Sequence, residues 1–201
     1  MEKNMSRSFF RCTLVVLLSF FLPAMSKAGE DPVTKAIDEA VQHYKDSQFT
    51  AAVTSLDSAI RMIRQKKGDV LKNLLPGPLD GWSAEQADSK VTAAEVFGGP
   101  TTAERRYSKN ASSITIKFST DSPMMQSMLM MFSNPIFASS AGKIEMINGQ
   151  KAIVDFKETS GNINIVIGTN LLITIEGDNI QRGDLLAYAD KVDMDKLARL
   201  P

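Results

Sequence analysis

Cysteine is nearly absent from this 201-residue chain, occurring once, as Cys12. Histidine and tryptophan also occur once each, as His43 and Trp82, and tyrosine three times. Lys plus Arg and Asp plus Glu number 23 each, so the chain has no formal net charge. Each shortage removes a class of chemistry. A balanced charge supplies no basic face to neutralise phosphates, so nucleic acid is not an expected partner. One histidine and one cysteine leave zinc sites built on the usual nitrogen and sulfur ligands out of reach. Every histidine-dependent triad would have to pass through His43, and no G-x-S-x-G elbow accompanies it. Carboxylate pairs for glycoside chemistry remain open, but nothing singles out a pair, and aromatic platforms for sugars are scarce.

What is present begins with an address. Lys3, Arg7 and Arg11 surround the entry to an apolar run from Thr13 to Leu22, Pro23 breaks it, and small residues lead to Ser26-Lys27-Ala28. This is the three-part pattern of a cleavable secretory signal over residues 1–28, with the cut before Gly29. Its apolar core of about ten residues falls short of the roughly 20 that a spanning helix needs, which disfavours the rival reading of an uncleaved anchor. Cys12 stands ahead of that core, not at its end, so it is not placed to carry a lipid. Residues 1–28 hold four of the 23 basic and one of the 23 acidic residues, so the 173 that follow carry 19 and 22, a net charge of −3. The expected product is exported, periplasmic or secreted, and soluble. Without Cys12 it has no disulfide and no thiol chemistry, and its stability rests on its core alone. No later stretch is long and apolar enough to span a bilayer.

The periodicity then divides the chain. Over 32–46, Val33, Ala36, Ile37, Ala40, Val41 and Tyr44 mark one helix face, with Asp31 as cap and Pro32 at the first position. Over 48–66, Phe49, Ala52, Val53, Leu56, Ile60 and Ile63 repeat the stripe, and Arg64, Lys66 and Lys67 suit the helix's C-terminal end. Gly68 is expected to end this helix, with at most one further turn over 70–75. The short break at Asp46-Ser47 predicts a side-by-side hairpin. The Tyr44, Phe49, Ala52 and Ala59 spacing is similar to a single tetratricopeptide unit, but no second copy follows, so the hairpin is expected to pack on the rest of the protein.

After Pro76-Gly77-Pro78 the apolar period becomes two. Strands are expected at Thr102–Tyr107, Ser113–Ser119, Lys143–Ile147, Lys151–Phe156, Asn162–Ile167 and Leu171–Ile175. Asn148-Gly149 is a strong hairpin signal, and Gly168-Thr169-Asn170 and Gly98-Gly99-Pro100 read as turns. Each strand has one apolar and one polar face, so the sheet needs a lid. Candidates are the apolar segment 122–132 and helices within 182–199. The expected class is α+β: a signal over 1–28, a helical hairpin over 29–70, and an antiparallel sheet covered by helices over 71–201. Trp82 reads as a core or junction anchor. Arg105 and Arg106, adjacent on a strand, face opposite ways.

The run Leu74-Leu75-Pro76-Gly77-Pro78-Leu79-Asp80-Gly81-Trp82, with Arg106-Tyr107, Asp121-Ser122-Pro123-Met124 and Asn134-Pro135, resembles an uncharacterised family of exported proteobacterial proteins. The Gly-Trp entry, sheet, crossing helix and closing helix over about 70–200 also resemble the Mog1/PsbP-like α-β-α sandwich. That resemblance implies an accessory or assembly role, not an enzyme, through fold analogy alone.

One segment has unusual donors. Five of the eight residues from Met124 to Met131 are methionine. Met124, Met128 and Met131 share a helix face at i, i+4 and i+7. Three readings stand: a lid that fills irregular core gaps, an adaptable docking surface, or a Cu(I) site, since thioethers are soft ligands. The expected function is a non-catalytic exported module that binds another cell-envelope protein through the hairpin or the methionine segment. The alternative is a small-ligand or Cu(I) carrier.

Overall fold

The structure, a computed structural model, describes residues 30–91, 99–122, 124–133 and 141–200. The signal expected over 1–28, Gly98 of the glycine turn, and Asn134-Pro135 lie outside the described residues.

Helix α1 (Pro32–Lys45) starts as its sequence predicts: the Asp31 carboxylate accepts the Val33 N–H at 2.9 Å, and Pro32 needs no partner. The chain turns through Ser47 at φ 59°, where His43 Nδ1 and Gln48 Oε1 lie 2.7 Å apart. His43 thus braces the interhelical turn. Helix α2 (Phe49–Asn73) runs back antiparallel, and Lys66 on it meets Asp31 at 2.7 Å. That ammonium is the main reason the Asp31 carboxyl is held below its ordinary range.

The expected stop at Gly68 is corrected by the structure. Helix α2 continues unbroken for 25 residues, across the expected boundary at 70/71. Gly68 is buried where the helix comes closest to the sheet: a Cβ there would lie 3.2 Å from Ser89 Cβ and 3.3 Å from Thr101 Cγ2. Glycine in a helix interior costs about 1 kcal/mol relative to alanine. Here that cost is offset by the seating of Leu71 and Leu75 in the core over the following turns.

The remaining chain builds one antiparallel sheet from β1 (Ser83–Ala84), β2 (Asp88–Val91), β3 (Thr101–Lys109), β4 (Ser112–Thr120), β5 (Lys143–Ile147), β6 (Gln150–Lys157), β7 (Ser160–Ile167) and β8 (Leu171–Asp178). The order is β1-β3-β4-β8-β7-β6-β5, with β2 also on the β3 edge. Asn148 and Gly149, at φ 46° and 76°, make the tight β5–β6 turn that their sequence predicts. From β4 the chain must cross four strand spacings to reach β5, about 19 Å. Helix α3 (Met124–Ser133) lies on that crossing. Helices α4 (Arg182–Lys191) and α5 (Met194–Ala198) close the chain. The class is α+β.

Alternation sorts the strands into two faces. Ala103, Tyr107, Ile114, Ile116, Phe118, Ile163, Ile165, Ile173 and Ile175 are fully buried on one face, under Leu71 of α2 and Leu185 and Tyr188 of α4. The other face carries polar ladders, such as Asn162–Asn164–Thr174. Where Ile153, Val166 and Leu172 break the alternation, α3 covers it. The sheet therefore has helices on both faces, and the two candidate lids take opposite sides.

The Pro76-Gly77-Pro78 turn is tied to the sheet. The Pro76 carbonyl accepts the Tyr107 hydroxyl at 2.6 Å and an Arg105 Nη1 proton at 3.0 Å. Arg105 and Arg106 do face opposite ways, since Arg106 reaches Ser113 on the solvent side. Trp82 is buried and meets Tyr188 edge-on at 5.4 Å, and Tyr188 meets Tyr107 at 4.5 Å. Burial pushes the Tyr107 phenol well above its ordinary value.

Two outcomes are expected. Gly68→Val forces α2 off β2 and β3 and destabilises the fold by about 1–3 kcal/mol in urea titrations. For Tyr107, the folded state keeps the phenolic proton where the unfolded chain releases it. Its contribution to stability is complete below about pH 10 and is lost as pH rises above that value. Between about pH 8 and pH 11, the urea midpoint should fall more steeply for the wild type than for Tyr107→Phe; parallel curves would contradict this.

Candidate functional site

The two hairpin helices meet along small side chains. Ala36 and Ala40 of α1 and Ala52 and Ala59 of α2 are the buried residues of the seam. Small residues bring two helices close and leave their large neighbours no room between them. The hairpin does pack on the rest of the protein, as expected, through the C-terminal part of α2 against β2 and β3, but its large apolar stripe stays exposed. Ile37, Val41 and Tyr44 of α1 and Phe49, Val53, Leu56, Ile60 and Ile63 of α2 are each between 39% and 66% exposed.

These side chains form one surface. The Asp31–Lys66 pair fixes one end of the antiparallel register, and the Tyr44 and Phe49 rings meet at 5.8 Å near the other. Helix α2 advances about 21 Å from Phe49 to Ile63 at 1.5 Å per residue. Eight half-exposed large side chains along that length present on the order of several hundred Å² of apolar surface, the scale that marks interaction sites.

At the sheet end of the hairpin lies a pocket of about 360 Å³, lined by α2, the β7–β8 turn and α5. Ile63 belongs to both the exposed stripe and the pocket wall, which Val70 also lines. The polar side chains lining the pocket are Lys67, Thr120 and Asn170. Lys67 pairs with Asp121 at 2.9 Å.

The methionine segment forms α3, but its members part company. Met128 is 8% exposed and packs with Met125, Ile153 and Leu172, while Met131 sits at the edge of that cluster. Met124, in the first turn, is 65% exposed, and so is Met130 at 67%. The lid reading fits Met125 and Met128, and the surface readings fit Met124 and Met130. Among the described residues, no group of three or more His, Cys, Asp or Glu side chains converges. No helix of the described residues is long and apolar enough to cross a membrane.

The seam has a signal in the sequence: alanines at i and i+4 in α1, and at i and i+7 in α2, run beside the large apolar residues. Lining from α2, β4, the β7–β8 turn and α5 gives the pocket no comparable signal.

Burial separates the methionines experimentally. Met128→Ala should cost about 2–4 kcal/mol in urea titrations, and Met124→Ala should stay within about 0.5 kcal/mol. The Cu(I) reading requires a chelator-competition titration to lose binding when Met124, Met128 and Met131 are all changed to Leu. The packing predicts no difference between that variant and the wild type. Comparison with protein-family models, with curated proteins and with solved structures finds no match to this chain, so its function has to be read from this geometry.

Proposed function

We propose that the protein is a non-catalytic, exported binding module, and that the outer face of the α1–α2 hairpin is its contact surface. The observation that carries this reading is the unburied apolar stripe from Tyr44 and Phe49 to Ile63. Two helices joined through alanines form a shallow apolar trough between their stripes. An amphipathic helix laid along it buries its own apolar side and completes a three-helix packing, with axes about 8–10 Å apart. The partner in this reading is therefore a cell-envelope protein that presents such a helix. The signal-like residues 1–28 support an envelope location, as periplasmic or secreted protein.

Rigidity favours this surface over the methionine segment. The hairpin is fixed to the sheet through Gly68, Leu71 and the Pro76 clamp, so its trough is preorganised and loses little entropy on binding. Tyr44 and Phe49, large and already in contact with each other, are the expected anchors.

The test is site-specific photo-crosslinking in intact envelopes, with the crosslinker at Leu56 and, as control, at Arg61 on the polar side. A discrete adduct from Leu56 alone, lost in the Val53→Glu, Ile60→Glu variant, is the expected result. Equal adducts from both positions, or none from Leu56, would sink the reading. An adduct of twice the protein's own mass would instead assign the trough to a second copy of this chain.

A further inference from the structure

Helix α3 sits on the second sheet face largely through thioethers. Met125 and Met128 are buried with Ile153 of β6 and Leu172 of β8, and Leu129, Met131, Phe132 and Val166 of β7 pack around them. On the helix side of this seat, methionine is thus the commonest residue. Among the described residues no hydrogen bond or ion pair joins α3 to the sheet. The Met124 and Met125 amides donate to Ser122, and the Ser133 hydroxyl donates to the Leu129 carbonyl within the helix. Among those residues the attachment is apolar packing alone.

Such a seat can be converted chemically. Oxidation to the sulfoxide turns a flexible apolar thioether into a polar group. The sheet side of the seat, Ile153, Val166 and Leu172, offers that group no side-chain donor, and an unpaired buried polar atom is costly. Exposure then sorts the methionines of α3. Met124 and Met130, at 65% and 67%, are open to oxidants but lie outside the seat. Met125 and Met128 belong to the seat but are closed to oxidants, at 5% and 8%. Met131 has both properties: it is half-buried, and it packs on the seat. Cys12 is the only cysteine, so no thiol among the described residues competes for the oxidant.

We propose that Met131 is an oxidation site whose sulfoxide releases α3 from the sheet. The reagent is a two-electron oxygen donor such as hydrogen peroxide. A sulfur lone pair attacks one peroxide oxygen, and the S–O bond forms as the O–O bond breaks. The departing hydroxide takes the proton from the oxygen now on sulfur, giving sulfoxide and water. Sulfur loses two electrons and the peroxide gains them. With Met131 polar, the edge of the seat lifts, and Met125 and Met128 become reachable in turn. Ile153, Val166 and Leu172 are then uncovered. The site is independent of the hairpin trough and shares no residue with it.

Graded hydrogen peroxide treatment of the purified protein, in a Cys12→Ser background, tests this. Peptide mass spectrometry locates the sulfoxides, and hydrogen exchange follows the amides of α3 and of the sheet. Met124 and Met130 should oxidise first and leave α3 exchange unchanged. Exchange in α3 should then quicken at least about tenfold in step with Met131 sulfoxide, while β4 and β7 stay protected. Methionine sulfoxide reductases acting on both epimers should restore the protection. Met131→Leu, which conserves volume, should keep α3 protected at the same peroxide dose. The double variant Met124→Leu, Met130→Leu should release α3 as the wild type does. Unchanged α3 exchange with Met131 fully oxidised overturns the proposal. So does equal release in Met131→Leu, or oxidation of Met131 no faster than that of Met125 and Met128. Loss of protection throughout the sheet, or α3 amides unprotected before treatment, would overturn it as well.

Discussion

The approach of α2 to the sheet at Gly68 fixes where the hairpin points. A Cβ there would meet Ser89 and Thr101 at 3.2 and 3.3 Å, so any side chain obliges those neighbours to give by a few tenths of an ångström. From that contact α2 extends in both directions. Toward its C-terminus it delivers Leu71 and Leu75 into the core and hands the chain to the clamped Pro76 turn. Toward its N-terminus it carries the hairpin with its apolar stripe uncovered. The pocket opens beside the same contact, with Lys67 and Val70 on its wall and Thr101 and Thr120 on the strands below.

Two levels of interaction follow from that geometry. The sheet is held by ordinary core physics: alternating isoleucines on one face, buried under α2, α4 and α5. The hairpin is held by a narrower set of contacts: an alanine seam within itself and, at its end, the Gly68 approach, buried Leu71, the Lys67–Asp121 pair and the Pro76 clamp. A hairpin that spends its small residues on the seam has its large ones left over. The exposed stripe is therefore a direct consequence of how the two helices meet, and it is what the proposed partner helix would cover.

The secondary structure was largely legible because its signals are local. Alternation located the main strands, Asn148-Gly149 located a turn, and Asp31-Pro32 located a helix start to the residue. Gly68 misled because a helix-interior glycine reads as a stop unless the surface it touches is known. That surface, Ser89 and Thr101, comes from strands more than twenty residues away in sequence. The stripe was legible only in part: periodicity tells that Val53, Leu56 and Ile60 share a face, but not whether anything covers it. The expectation of one apolar and one polar face per strand overlooked the doubled apolar positions at Ile153-Val154, Val166-Ile167 and Leu171-Leu172, where α3 covers the second face. Of the site, the pocket was illegible, since its wall is drawn from α2, β4, the β7–β8 turn and the C-terminal residues, which no local pattern brings together.

The central claim is that the hairpin face is open in the free protein. Because Cys12 is the only cysteine, a Cys12→Ser background makes a single introduced thiol at Leu56 a direct reporter. Its rate of reaction with a maleimide, compared with a thiol placed at Arg61, reads the accessibility of the trough in the folded protein. The account predicts that Leu56→Cys reacts within about threefold of Arg61→Cys under native conditions, as its half-exposed position requires. A thiol at 56 that reacts only when the protein is unfolded would mean that the chain covers this face itself, and would contradict the account.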